Sequence, residues 1–174
     1  MNRKIMFGMS LQDGLKKSKF MKNENVTFRP IVEGDIFYRM KWLNDEDTRK
    51  DIIFYGMNDE TSNKEWYLSC QKTGKTFFMI LFDNNPIGLI GIMNVSKINK
   101  NAEIFIMIGE KEFRGKGIGK LALRYLVDVA KKNKLNNLYL SVKKTNLKAI
   151  NLYKQIGFKI VGKNSEVDMV LAII

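Results

Sequence analysis

The residues best equipped for chemistry form one short run, Arg114-Gly115-Lys116-Gly117-Ile118-Gly119-Lys120, between an apolar strand pattern and an amphipathic helix pattern. Glycines at 115, 117 and 119 permit a sharp turn and let the backbone approach a ligand with no Cβ in the way. Successive amides entering a helix N-terminus make a nest for an anion, reinforced by the helix dipole and the flanking cations. A pyrophosphate is the natural guest. Two nucleotide-binding patterns fail on spacing. The phosphate loop GxxxxGK[ST] would need Ser or Thr where Leu121 stands and Gly where Arg114 stands. In the dinucleotide fingerprint GxGxxG the third glycine would have to come one residue later. The acid that fingerprint places about 20 residues on would fall among Asn136, Asn137 and Tyr139.

What is missing narrows the chemistry further. The 174 residues include no histidine, so there is no Ser-His or Cys-His nucleophile pair, no imidazole base and no His-ligated metal. No metal site is expected. The single Cys70 excludes an intrachain disulfide and any CxxC motif, which makes a reducing cytoplasm the default compartment. Cys70 itself reads as a small core residue on a helix face rather than as an acyl nucleophile. No apolar run approaches the roughly 18 residues of a membrane span.

Net charge is +12, and its distribution says more than its total. Lys, Asn and Ile together supply 60 residues, a bias expected of AT-rich coding, so part of the Lys excess is a solvated surface. Residues 110–163 nevertheless carry +11, whereas 23–109 carry −2. A polyanion is drawn to the first segment, and a cation is repelled least by the second.

The elements that must position this loop can be read from periodicity. Residues 1–22 look unlike the rest: a short apolar patch, Ile5 to Met9, followed by scattered lysines, too short for a signal-peptide core. They read as a poorly ordered extension to a domain spanning 23–174. Val26–Pro30 reads as a first strand. Asp35 is placed to cap a helix bearing Ile36, Met40 and Leu43 on one face, closed by the acidic turn Asn44-Asp45-Glu46-Asp47. A second helix is expected to open at a Ser62–Glu65 capping box and to hold Trp66, Leu68 and Cys70. Thr76–Phe82 and Ile87–Val95 read as a hairpin around Asp83-Asn84-Asn85-Pro86. Ala102–Ile108 follows as a strand, then the helix Gly117–Lys132 with Ile118, Leu121, Ala122, Tyr125, Leu126 and Val129 on one side. Leu138–Val142 is a buried-type strand, Asn146–Ile156 a helix stopped by Gly157, and Ile160–Val161 and Val167–Ile174 complete the sheet. The fold class is α/β (α+β), with several antiparallel strands and at least one strand–helix–strand crossover.

Arg114, Gly117 and Gly119 match the signature Gln/Arg-x-x-Gly-x-Gly/Ala of the GCN5-related N-acetyltransferase (GNAT) superfamily, which the chain resembles from about Val26 to its end. A second match, Asn146-x-x-Ala149-x-x-x-Tyr153-x-x-x-Gly157-Phe158, resembles that family's late helix. The resemblance implies a mixed, mostly antiparallel sheet whose central parallel strands splay apart, flanked by helices, with acetyl-CoA in the gap as acyl donor. It further implies that Ile106, Met107 and Ile108 pair their backbone with the pantetheine arm, as an added strand would. The amides of Gly115, Lys116, Gly117, Ile118, Gly119 and Lys120 would hold the pyrophosphate, Arg114 would assist, and Asn146 would contact the cofactor. Tyr153 is implied as the general acid that protonates the leaving sulfur, although an aromatic core residue beside Leu152 and Phe158 would look the same.

Glu103 stands among Ile104, Phe105 and Ile106, and a carboxylate in so apolar a strand asks for a reason. It reads either as the base or amine ligand, directly or through water, or as an outward-facing rim acid. Asp47 and Asp51 are lesser candidates. A backbone N–H near Met107–Ile108 is placed to stabilise the oxyanion.

The stretch Trp42-Leu43-Asn44-Asp45 is most similar to the branch of ribosomal-protein N-terminal, spermidine and pseudaminic-type amino-sugar acetyltransferases. The expected acceptor is therefore a primary amine of a small molecule (amino-sugar nucleotide or polyamine) or of a peptide. Acids between 45 and 65 would favour a cationic end, unless they are only a solvated helix surface. A homodimer is compatible with this reading. A silent acetyl-CoA-binding sensor is the alternative. A basic nucleic-acid-binding module is disfavoured by the lack of an RNP-like aromatic stripe, zinc ligands or a helix-turn-helix pattern.

Overall fold

The computed structural model describes residues 25–54, 56, 58–72 and 75–173, so the proposed extension 1–22 lies outside the described residues. In chain order the elements are β1 (Val26–Pro30), α1 (Ile36–Asn44), α2 (Glu46–Arg49), α3 (Glu60–Lys72), β2 (Thr76–Phe82), β3 (Asn85–Ser96) and β4 (Asn101–Ile108). They continue with α4 (Ile118–Lys132), β5 (Asn137–Lys143), α5 (Leu147–Ile156), β6 (Lys159–Lys163) and β7 (Glu166–Ala172). The strands form one seven-stranded sheet in the order β1-β2-β3-β4-β5-β7-β6. Every pairing is antiparallel except β4 with β5.

Strand β2 is apolar at nearly every position and therefore needs a layer on each face. Phe78 and Ile80 join the core under α4 and α5, with Ile90, Ile104, Leu126, Leu138 and Met169. Phe77, Met79 and Leu81 join the opposite core with Trp42, Leu43, Leu89 and Met107. Helix α4 buries Ile118, Ala122, Tyr125, Leu126 and Val129 as its periodicity predicts, and adds Leu123 and Ala130. Gly157 ends α5 at φ 110°, a left-handed conformation that costs glycine little.

Three local expectations are revised. The β2–β3 connection is a two-residue turn with Asp83 at φ 47° and Asn84 at φ 64°, so Asn85 and Pro86 belong to β3. Pro86 lacks a donor, and it sits where the ladder shifts register. Asp35 precedes α1 but its side chain does not cap that helix. It accepts from Val32 N (2.8 Å) and forms a bidentate pair with Arg29 (2.6 and 2.8 Å). Helix α3 starts earlier than Ser62: the reciprocal box is Asp59–Ser62, with Ser62 N donating to Asp59 Oδ1 (2.7 Å) and Asp59 N to Ser62 Oγ (3.2 Å).

Just past the end of β4, Gly109 packs against the fully buried Trp42, whose indole N–H donates to Glu110 Oε1 (2.9 Å). A Cβ at Gly109 would overlap that indole ring. Gly109→Ala is therefore expected to lower unfolding stability by about 1–3 kcal/mol. Urea melts of variant and parent check this, and equal midpoints would mean that the indole has room to shift.

Candidate active site

Strands β4 and β5 pair only at Asn101↔Asn137, Ala102↔Leu138 and Glu103↔Tyr139. Beyond that fork they separate, while β4 stays paired with β3 as far as Ile108. Gly109 N donates to Ile87 O (2.9 Å), which sets the phase of the β3–β4 ladder. Odd-numbered residues of β4, Met107 included, turn their main-chain groups toward β3. Ile104, Ile106 and Ile108 aim theirs into the gap. Met107 instead buries its side chain in the core beneath α1 and α3.

The gap is the floor of a cleft of about 520 Å³. Its walls include Glu103, Ile106, Met107, Ile108, Arg114, Gly115, Gly117, Gly119, Lys120, Asn146 and Tyr153. The candidate residues thus come together around one space, apart from two side chains. Ile118 points into the core, and the Lys116 ammonium lies over the Phe113 ring at 5.5 Å. A larger hollow, about 660 Å³, lies beside α4 next to Val26, Phe28 and Ile173 and contains none of these residues.

Gly115 (φ 75°) and Gly117 (φ 82°) adopt conformations that disfavour any side chain, and no atom of the described residues lies where their Cβ would be. Gly119 is helical, and its constraint is different: a Cβ there would press on Leu152 Cδ2 at 2.9 Å. Among the described residues, no amide from Gly115 to Gly119 donates to a backbone carbonyl, and the first bonds of α4 are Lys120 N and Leu121 N to Gly117 O. Five consecutive amides therefore stand without a backbone acceptor at the N-terminus of a 15-residue helix. The residues present fit an anionic, extended guest: free amides for its charged part, and unpaired strand groups for a chain lying in the gap.

Tyr153 projects from α5 beside Phe158, ring centroids 5.7 Å apart. The described residues give its hydroxyl no hydrogen-bond partner, and none of their buried side-chain oxygens lacks one. The Tyr153 oxygen therefore opens into the cleft. Burial pushes its pKa up to about 12, so it carries its proton at any physiological pH. Glu103 sits at the fork, where its Oε2 accepts from Asn94 Nδ2 (2.7 Å).

Sequence reasoning missed the segment that spans the cleft mouth. Thr48, 2% exposed, donates from Oγ1 to Asp45 Oδ2 (2.8 Å) and accepts from Arg114 Nη2 (2.6 Å). Arg114 also donates to Ile108 O (2.9 Å) and Gly109 O (3.2 Å), which leaves its Nη1 donors uncommitted among the described residues. On the other lip, Lys143 Nζ donates to Arg49 O (3.1 Å) and Lys50 O (2.8 Å). Asn146 caps α5 by accepting from Ala149 N (3.1 Å), and its Nδ2 donates to Asp51 O (3.1 Å). These partners lie 66 to 95 residues apart in the chain, so no local pattern signals them. Lys111 Nζ bridges Asp45 (3.0 Å) and Asp47 (2.9 Å). Lys50 and then Lys111 hold the Asp47 carboxyl down to about 2.

A family model described as the acetyltransferase (GNAT) family matches residues 37–158, which take in the fork, the glycine loop and both late elements of the cleft. The chain belongs to that family. An uncharacterized protein of Methanocaldococcus jannaschii is 27% identical to this GNAT chain over 152 residues, 85% of this chain and 31% of that protein. Spermidine N(1)-acetyltransferase of Escherichia coli K12 is 34% identical over 90 residues, 49% of this chain and 46% of that protein. The match thus spans less than half the length of either curated relative. Spermidine N-acetyltransferase from Vibrio cholerae, solved in complex with CoA and spermine, superposes with a TM-score of 0.75 at 22% identity. That superposition covers 87% of this GNAT chain and 97% of the other, and it establishes the shared fold.

Tyr153 is expected to ionise near pH 12, above the usual phenol near 10. Because its folded value is raised, its contribution to stability is complete below about pH 10 and is lost as pH climbs toward 12. Ultraviolet titration of the protein and of Tyr153→Phe should differ by one phenol at that high value; a difference near pH 10 contradicts it.

Proposed function

We propose that the protein is an acetyl-CoA-dependent N-acetyltransferase that moves an acetyl group directly onto a primary amine. The observation that carries this reading is the row of free amides from Gly115 to Gly119 opening onto the fork between β4 and β5. An acetyl-CoA pyrophosphate suits that nest, with Arg114, Lys116 and Lys120 adding charge and Ile118 contributing its amide. The main-chain groups of Ile106, and the second lone pair of the Ile108 carbonyl beside Arg114, pair with the pantetheine amides, and Met107 between them fixes the register through its buried side chain. Asn146 holds the start of α5 at the lip of the cleft.

Positioning donor and amine together removes the entropy of a bimolecular encounter. Tyr153 gives its proton to the departing sulfur, a role suited to a phenol that stays protonated and faces the cleft. Glu103, at the fork, takes the proton of the incoming amine directly or through water. Ile108 is the strand residue whose amide points toward the developing oxyanion, in preference to Met107.

Among amines, a polyamine is first to test, because the Escherichia coli relative carries that name and the Vibrio cholerae structure was solved with spermine. Thiol release from acetyl-CoA is measured against separate pools of polyamines, 4-amino nucleotide sugars, aminoglycosides and peptides with free N-termini. A blank without acceptor is subtracted. Release is expected with the polyamine pool; silence in every pool, without CoA binding, ends the acetyltransferase reading. Tyr153→Phe should lower kcat by about 10²–10⁴-fold while CoA affinity stays near that of the parent. An unchanged kcat would remove Tyr153 from the proton transfer.

A further inference from the structure

Splayed strands lose the ladder that would otherwise fix their separation. Five residues beyond the fork, Ile108 lies roughly 16 Å along β4, at about 3.3 Å per residue, with no β5 partner to set the gap. The segment from Asp45 to Asp51 crosses that opening and is fastened on both sides. On the β4 lip, Arg114 joins the Thr48 hydroxyl to the carbonyls of Ile108 and Gly109. On the β5 lip, Lys143 grips the carbonyls of Arg49 and Lys50, and Asn146 takes that of Asp51.

We infer that the 45–51 segment is a tie that sets the width of the donor gap, and that Thr48 and Lys143 are its positioning residues. Thr48 is suited to this work because one hydroxyl both donates and accepts, linking its own helix cap to a guanidinium 66 residues away. It is buried, so water does not compete for the contact. Lys143 adds a donor to the Arg49 carbonyl, which also accepts from Ile52 N (3.3 Å), and one to the Lys50 carbonyl just past the short helix. A tie acts only while both ends hold. Asn146 and Lys111 still touch the segment when Lys143 or Thr48 is lost, but a slackened end on either lip loosens the same span, so a second loosening should change little.

The inference rests on the acetyltransferase reading, and its test is built to separate the two. CoA binding is measured by calorimetry on the full chain and on Thr48→Val, Lys143→Met and the double variant, with Thr48→Ser as the conservative control. The same panel is melted thermally. Each single variant should weaken CoA binding about tenfold by loosening a preorganised gap, and the double variant should bind no worse than the weaker single. Thr48→Ser should bind as the parent does. Folded single variants that bind like the parent overturn the tie. So do losses that add in the double variant, as expected of independent structural sites, or losses that simply track the fall in melting temperature. If the parent chain itself fails to bind CoA, the acetyltransferase reading falls, whatever the variants do.

Discussion

The organising constraint is a parallel pairing that stops after Glu103 and Tyr139. A sheet normally satisfies its backbone groups strand to strand, and an opened ladder leaves donors and acceptors to be answered otherwise. Here the opening occurs between strands anchored elsewhere: β4 by β3, and β5 by β7 over its whole length. The two halves keep their own cores and registers while the gap between them stays available. Helix α4 starts at the end of that gap, which is why the free amides of Gly115 to Gly119 and the gap-facing main-chain groups of Ile106 and Ile108 address one space. The same separation brings Tyr153 to the cleft, since α5 packs under β5 and follows its departure from β4.

Several residues with an obvious chemical reading have a mechanical task as well. Arg114 commits three donor contacts to protein atoms before any ligand is considered. Both polar ends of the Asn146 side chain are engaged, one as a helix cap and one on the 45–51 segment. Neither engagement excludes a ligand contact: Arg114 keeps its Nη1 group, and Asn146 stays on the cleft wall. The architecture is economical because the residues that shape the mouth of the cleft also line it.

Much of the fold was legible because it depends on local patterns. The alternation and apolar runs of β2, β3 and β4, the amphipathic stripe of α4 and the stop at Gly157 are properties of short stretches, and each element was placed within a few residues. Where two local solutions competed, as with the Asp59–Ser62 and Ser62–Glu65 boxes, sequence alone had no means to rank them. Asp35 reads as a cap of α1 in the sequence because its decisive partner, Arg29, lies in another element. The cleft residues were legible through two spaced motifs. Thr48, Lys111 and Lys143 were not, since a hydroxyl or ammonium far along the chain carries no signal until the fold brings its partner near. The phase of β4 was equally hidden: Ile106, Met107 and Ile108 look alike in the sequence, and only the Gly109–Ile87 bond shows which of them face the gap.

The charge pattern carries the last step. The sequence sets a basic 110–163 segment beside acids near 45–65, and each was read as attracting a ligand of opposite sign. In the fold most of these acids are already engaged. Lys111 of the basic segment bridges Asp45 and Asp47, and within the acidic stretch Lys50 holds Asp47 and Lys64 pairs with Glu60, while Asp59 is spent on capping α3. A carboxylate already paired with an ammonium offers little net field to an incoming cation. The acids of α2 are therefore parts of the tie rather than a landing patch, and under the proposed acetyltransferase reading a cationic acceptor would be selected by groups inside the cleft. Glu103 is the carboxylate placed there: it stands at the fork on the cleft wall, and its partner Asn94 is a neutral amide rather than a lysine. That pairing is what makes Glu103 the group we propose for the amine.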